Sequence, residues 1–112
     1  MASFERYYSA GLIQGASATT IHTSDASDSA QADIIIGMLL SNAGSSTATA
    51  TAYIDGAGST QIHLCKEISI PVGGSTEIIQ GKIVLDNTDV VKAICTSGKI
   101  DVWLSVLDNA AA

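Results

Sequence analysis

From Thr60 to Asp108 the chain runs as short segments of alternating apolar and polar residues, punctuated by glycine, proline and aspartate, with no helix-length stretch between them. Ser46–Ile54 shows the period most cleanly. Thr47, Thr49, Thr51 and Tyr53 fall on one face and Ala48, Ala50, Ala52 and Ile54 on the other, which predicts a strand with one side in water. Lys99–Leu107 repeats the pattern, Ile100, Val102, Leu104 and Val106 pointing one way and Lys99, Asp101, Trp103 and Ser105 the other. The apolar run between Ala32 and Asn42 has no alternation and predicts a strand covered on both faces; Gly37 and three consecutive isoleucines argue against a helix there.

The remaining segments fill in around these. Thr19–Thr23 (TTIHT) is a short β-branched strand, followed by a polar loop from Ser24 to Gln31. Asp55–Ser59 supplies hairpin residues into a strand over Thr60–Ile70, which Pro71 and the glycines after it end. Thr76–Leu85 is a strand interrupted at Gly81, Asp86–Asp89 is a turn, and Val90–Thr96 and the closing strand meet at Ser97-Gly98. About eight strands in one domain fit an antiparallel β-sandwich, jelly-roll or immunoglobulin-like; strand order is not written in the pattern. The domain is expected over residues 19–112, preceded by an N-terminal arm over residues 1–18 whose aromatic start gives way to glycine, alanine and serine.

Composition narrows the picture. A chain of 112 residues holds one core, and with Phe4, Tyr7, Tyr8, Tyr53 and Trp103 as its only aromatics that core is aliphatic and thin. A net charge of -6 disfavours nucleic acid and anionic membrane surfaces. The longest apolar stretch, Ile34–Leu40, is far short of the roughly 20 residues of a membrane-spanning helix. Glu5 and Arg6 stand where a secretory leader would carry its apolar region, so export by that route is not expected. Cys65 and Cys95 then read as buried free thiols of a reducing compartment.

Candidate chemistry is sparse. His22 and His63 are the only general bases of the imidazole type, and both read as surface residues; without a CxxC pair, two cysteines and two scattered histidines make a poor zinc site. Asp86 and Asp89 could offer oxygens to calcium, but the segment is too short for an EF-hand loop and reads as an Asx-type turn. The glycine pairs Gly56/Gly58 and Gly73/Gly74 precede no helix and form turns. No enzyme activity, cofactor or metal is expected. Two features stand out: Trp103, which by parity faces outward or else enters a second-sheet core, and Phe4, Tyr7 and Tyr8, which form either an interface arm or simply the first strand. Together they point to a protein that assembles.

ERYYSA, TTIHT, LCKEISIPVGGSTEIIQGKIVLDNTDVVKAIC and the terminal DVWLSVLD resemble a group of small virion structural proteins of tailed bacteriophages, including phages of cyanobacteria. The shared pattern is a hydrophobic strand, a Pro-Val-Gly turn, a strand ending Gly-Lys-Ile-Val-Leu, an acidic turn and a closing Ser-Val-Leu; the loop Ser24–Gln31 departs from it, standing where such proteins often have a Pro-Ala turn. The resemblance implies a non-enzymatic virion component assembled in the bacterial cytoplasm. Capsid decoration or cement protein fits best, with a neck, tail or baseplate subunit as the rival. The implied partners are other copies of the chain, a trimer being favoured, and the major capsid protein or other virion proteins. Phe4, Tyr7, Tyr8 and Trp103 are the expected interface residues, and removal of residues 1–10 is expected to weaken assembly without unfolding the domain. A carbohydrate-binding module, which would need two or three coplanar exposed aromatics, is a lesser alternative.

Overall fold

Among the described residues, nine strands make two antiparallel sheets packed face to face: β1 (Ser3–Ile13), β2 (Thr19–Thr23), β3 (Gln31–Asn42), β4 (Ala48–Asp55), β5 (Gln61–Ile70), β6 (Ser75–Glu77), β7 (Ile83–Leu85), β8 (Val90–Ser97) and β9 (Lys99–Ala111). The computed structural model describes residues 3–13, 18–24, 31–56, 61–86 and 88–111. Among these no helix is long and apolar enough to cross a membrane.

One sheet runs β1-β9-β3-β6, with β7 pairing the same edge of β3 further along; the other runs β2-β8-β4-β5. If β6 and β7 are taken as one interrupted strand, the chain has eight strands that leave their sheet at nearly every connection. This is the order of a jelly roll, and it decides between the two sandwich types expected from the sequence. The interruption at Gly81 is real and wider than a bulge, with Gly81 itself at φ +90°. In the gap, Glu77 takes over the ladder: its Oε2 accepts from Met38 N at 2.6 Å and Ile79 N at 3.2 Å, while Ile78 N donates to Met38 O at 3.1 Å.

The core matches small side chains on one sheet to large ones on the other. Ala48, Ala50 and Ala52 of β4 and Ala93 of β8 are fully buried, facing Ile35, Met38 and Leu40 of β3 and Ile100, Leu104 and Val106 of β9. Alternating sizes let the layers close without voids. The passage from β8 to β9 uses Gly98 alone: Ser97 pairs with Thr49 in one sheet and Lys99 with Ile13 in the other. Gly98 sits at φ +80°, and a Cβ there would lie 2.9 Å from Ala48 Cα. Only glycine meets both demands.

Three expectations need correction. The segment expected as an arm is, over residues 3–13, a strand paired with β9 from Ser3↔Asp108 to Ile13↔Lys99. The pairing is broken only by a bulge at Ala10-Gly11, where Gly11 N donates to Asp101 Oδ1 at 2.7 Å. Removing residues 1–10 would therefore strip an edge from the sandwich rather than trim a free tail. Residues 14–17 lie outside the described residues. Second, β3 is not covered on both faces: Ile36 and Leu39 are exposed, since among the described residues no second layer lies on the outer side of its sheet. Third, the threonine and tyrosine face of β4 is not simply wet. Thr51 and Tyr53 are buried, Thr51 under a bulge in β5 where Glu67, at φ 51°, donates its N–H to Thr51 Oγ1 at 2.8 Å.

Candidate functional site

Two features of the molecule can act: the outer face of the β1-β9-β3-β6 sheet, and a polar cluster buried between the sheets.

The outer face follows from strand parity. On β1, Phe4, Arg6 and Tyr8 alternate with the inward Tyr7, and register places Tyr8 opposite Trp103, which in turn lies opposite Leu39. A second row joins Phe4, Leu107, Ile34 and Val84 across all four strands. Phe4 is 76% exposed, Tyr8 59% and Trp103 44%. Including Ile13, Ile36, Leu39 and Val84, seven of the nine large exposed apolar side chains among the described residues belong to this sheet. Tyr8 and Trp103 stack at 5.7 Å with 14° between their planes, and the Arg6 guanidinium lies 5.4 Å and 5.3 Å from the two ring centres. Beside them is a depression of about 360 Å³, floored by Leu39 and Trp103 and edged by Ser9, Ser41 and Asp101.

Of the four expected interface residues, Phe4, Tyr8 and Trp103 thus share one face. Tyr7 does not: it points inward, its ring stacked 4.0 Å from that of His22 and its hydroxyl donating to Asp108 Oδ2 at 2.5 Å.

Tyr7 belongs to the buried cluster. His22, expected at the surface, is buried on β2, and its Nε2 lies 2.9 Å from Oδ2 of Asp33, itself fully buried on β3, and 3.7 Å from Oδ1 of Asp108 on β9. The correction has a local cause: a register shift between Thr20 and His22 turns the imidazole inward. A second bulge sets the carboxylates, since Ile34 pairs with Leu107 and Ala32 with Ala110, leaving Asp33 alone opposite Asp108 and Asn109. Burial and the Asp108 carboxylate push the Tyr7 hydroxyl pKa well above the usual tyrosine value, with Glu5 and Asp33 adding to it, so Tyr7 stays a proton donor. Ser24, just past His22 and pinned by Ser24 N→Asp89 O at 2.8 Å, buries a hydroxyl that has no hydrogen-bond partner among the described residues. His22, Asp33 and Asp108 are the described residues whose donor atoms could hold a metal, all lying within 4.8 Å of one another.

His63, by contrast, is exposed on β5 and tilted against Tyr53 at 5.6 Å. Asp86 and Asp89 close a turn, Asp86 N donating to Asp89 Oδ2 at 2.9 Å and Asp89 N to Asp86 O at 3.1 Å; Asn87 lies outside the described residues. Cys65 and Cys95 are free thiols, and burial pushes the Cys65 thiol pKa up. They stand on β5 and β8, on opposite sides of β4, two strand spacings or about 10 Å apart, beyond the reach of a disulfide.

The cluster offered no motif to a sequence search because its members are distant in the chain. One signal was readable: Asp108 continues the inward parity of Ile100, Val102, Leu104 and Val106, and an acid in a core register is anomalous. No family model matches the chain, and no curated protein or solved structure matches it.

Proposed function

We propose that the chain is a non-enzymatic assembly subunit that packs through the outer face of its β1-β9-β3-β6 sheet against another copy of itself. The observation that carries this reading is the concentration of Phe4, Tyr8, Trp103, Leu39 and Val84 on one unlayered sheet. Four strand positions by about ten residues span roughly 20 Å by 35 Å, about 700 Å². That approaches the roughly 800 Å² that each partner contributes to a stable protein interface. Aromatic side chains and an arginine, here Phe4, Tyr8, Arg6 and Trp103 on β1 and β9, are residue types enriched at protein interfaces.

The particle to which it belongs is read as a tailed-phage virion, with the capsid decoration or cement role first and a neck, tail or baseplate subunit second. This part rests on the sequence resemblance, and the jelly roll, an architecture found in viral capsid proteins, agrees with it. The trimer likewise rests on the resemblance. Carbohydrate binding is served less well: Tyr8 and Trp103 stack on each other and on the Arg6 guanidinium, which competes with a sugar ring for those faces.

Copy number in purified particles, counted by quantitative mass spectrometry, tests the assignment. Hundreds of copies support a capsid decoration, and six, twelve or a small multiple a neck, tail or baseplate subunit. Absence from intact particles refutes the virion reading.

A further inference from the structure

We propose that His22, Asp33 and Asp108, backed by Ser24, form a structural binding site for one divalent cation of the zinc or manganese type, which ties the two sheets of the sandwich together. This inference is independent of the assembly reading.

The donor set comes first. One imidazole nitrogen and two carboxylates are a ligand combination that borderline divalent metals accept. Zinc–nitrogen and zinc–oxygen bonds of about 2.0–2.2 Å set donor atoms about 3.4 Å apart around a tetrahedron. Here Nε2 stands 2.9 Å and 3.7 Å from the two carboxylate oxygens, and all three donors fall within 4.8 Å. The two distances to Nε2 bracket the tetrahedral spacing, and rotation of the carboxylates would bring the third pair to it.

The surroundings supply what such a site needs beyond its ligands. Tyr7 donates to the second oxygen of Asp108, which orients that carboxylate, and its ring stacks on His22 at 4.0 Å, which fixes the imidazole plane. Ser24 is the independent observation. It is 2% exposed, its hydroxyl lacks a hydrogen-bond partner among the described residues, and it follows His22 by two positions, Thr23 between them being exposed. A buried hydroxyl without a partner is costly unless it meets a ligand, and in the proposed site it would supply the fourth donor, an oxygen. With His22 on one sheet and both aspartates on the other, the ion's effect would fall on the closure of the sandwich.

The test loads EDTA-stripped protein with ZnCl2, MnCl2 or CoCl2 alone and reads stoichiometry by elemental mass spectrometry and stability by thermal unfolding. One equivalent per chain is expected, and at a hundredfold excess over Kd zinc should raise Tm by about 10 °C. Cobalt should give d–d bands without the near-ultraviolet thiolate charge-transfer band, which separates this site from Cys65 or Cys95. His22→Gln and Asp108→Asn should each abolish binding, while His63→Gln retains it. Asp33→Asn is informative only where circular dichroism shows it folded; the other two variants decide the matter without it. Failure of all three metals to bind, a thiolate band in the cobalt spectrum, or binding that survives His22→Gln overturns the proposal and leaves the cluster a buried hydrogen-bond network.

Discussion

Replacing Tyr7 with phenylalanine removes one oxygen and leaves the ring on His22, so it isolates the hydrogen bond to Asp108. Hydrogen bonds to charged groups contribute about 1.5–3 kcal/mol when buried, and because Tyr7 is only half-buried the low end, about 1.5 kcal/mol, is appropriate. An unfolding entropy of about 2.1 cal/mol/K per residue over 112 residues converts this to a fall in Tm of about 6 °C. The same bond predicts a pH signature. Folding raises the Tyr7 pKa above its ordinary value of 10.0, so the unfolded chain gives up this proton at a lower pH than the folded one. The contribution is complete below about pH 10 and is lost as pH rises beyond it, because ionisation then favours the unfolded chain. Tyr7→Phe lacks that loss. The stability gap between wild type and variant, measured by urea unfolding, should therefore be constant from pH 7 to 9.5 and narrow above pH 10. An unchanged Tm, or a gap that does not narrow, refutes the role assigned to Tyr7.

Two further outcomes follow from the backbone and the thiols. Gly98→Ala forces a side chain to φ +80° and drives its Cβ to 2.9 Å from Ala48 Cα, so a loss of about 2–4 kcal/mol is expected in chemical denaturation; a loss under 1 kcal/mol would show that the β8–β9 corner adjusts freely. With Cys65 half-buried and Cys95 buried and donating to Ser97 O at 3.1 Å, both thiols should react slowly with a disulfide reagent in the native state. Unfolding without reductant should then release two reactive thiols per chain; finding none would mean a disulfide and a different arrangement of β5 and β8.

Local patterns in the sequence carried the strands well and their environment less well. TTIHT is β2 to the residue, and the parity of Lys99–Leu107 places Trp103 outside and Leu104 inside as the structure has them. Bulges were the main obstacle. At Thr20–His22, Ile35–Gly37 and Ala10–Gly11 an extra residue changes which side chains face the core, and parity counted through them fails. His22 reads as a surface residue because it is polar and stands among threonines, and the shift at Thr20–His22 turns it inward instead. The apolar run of β3 misled in another way: hydrophobicity on both faces signals cover, and here no cover lies over its outer face among the described residues. The jelly-roll order itself depends on pairings between residues as far apart as Ser3 and Asp108, which no local period encodes.

The central claim is that the open face of the β1-β9-β3-β6 sheet is where copies of the chain meet. Sedimentation equilibrium of the wild type beside a Tyr8→Ser, Trp103→Ser double variant tests it directly, since both side chains point outward and neither supports the core. The wild type should be an oligomer at micromolar concentration, and the variant a monomer with unchanged far-ultraviolet circular dichroism. A wild type that stays monomeric at 100 μM, or a folded variant that associates as strongly as the wild type, would contradict it.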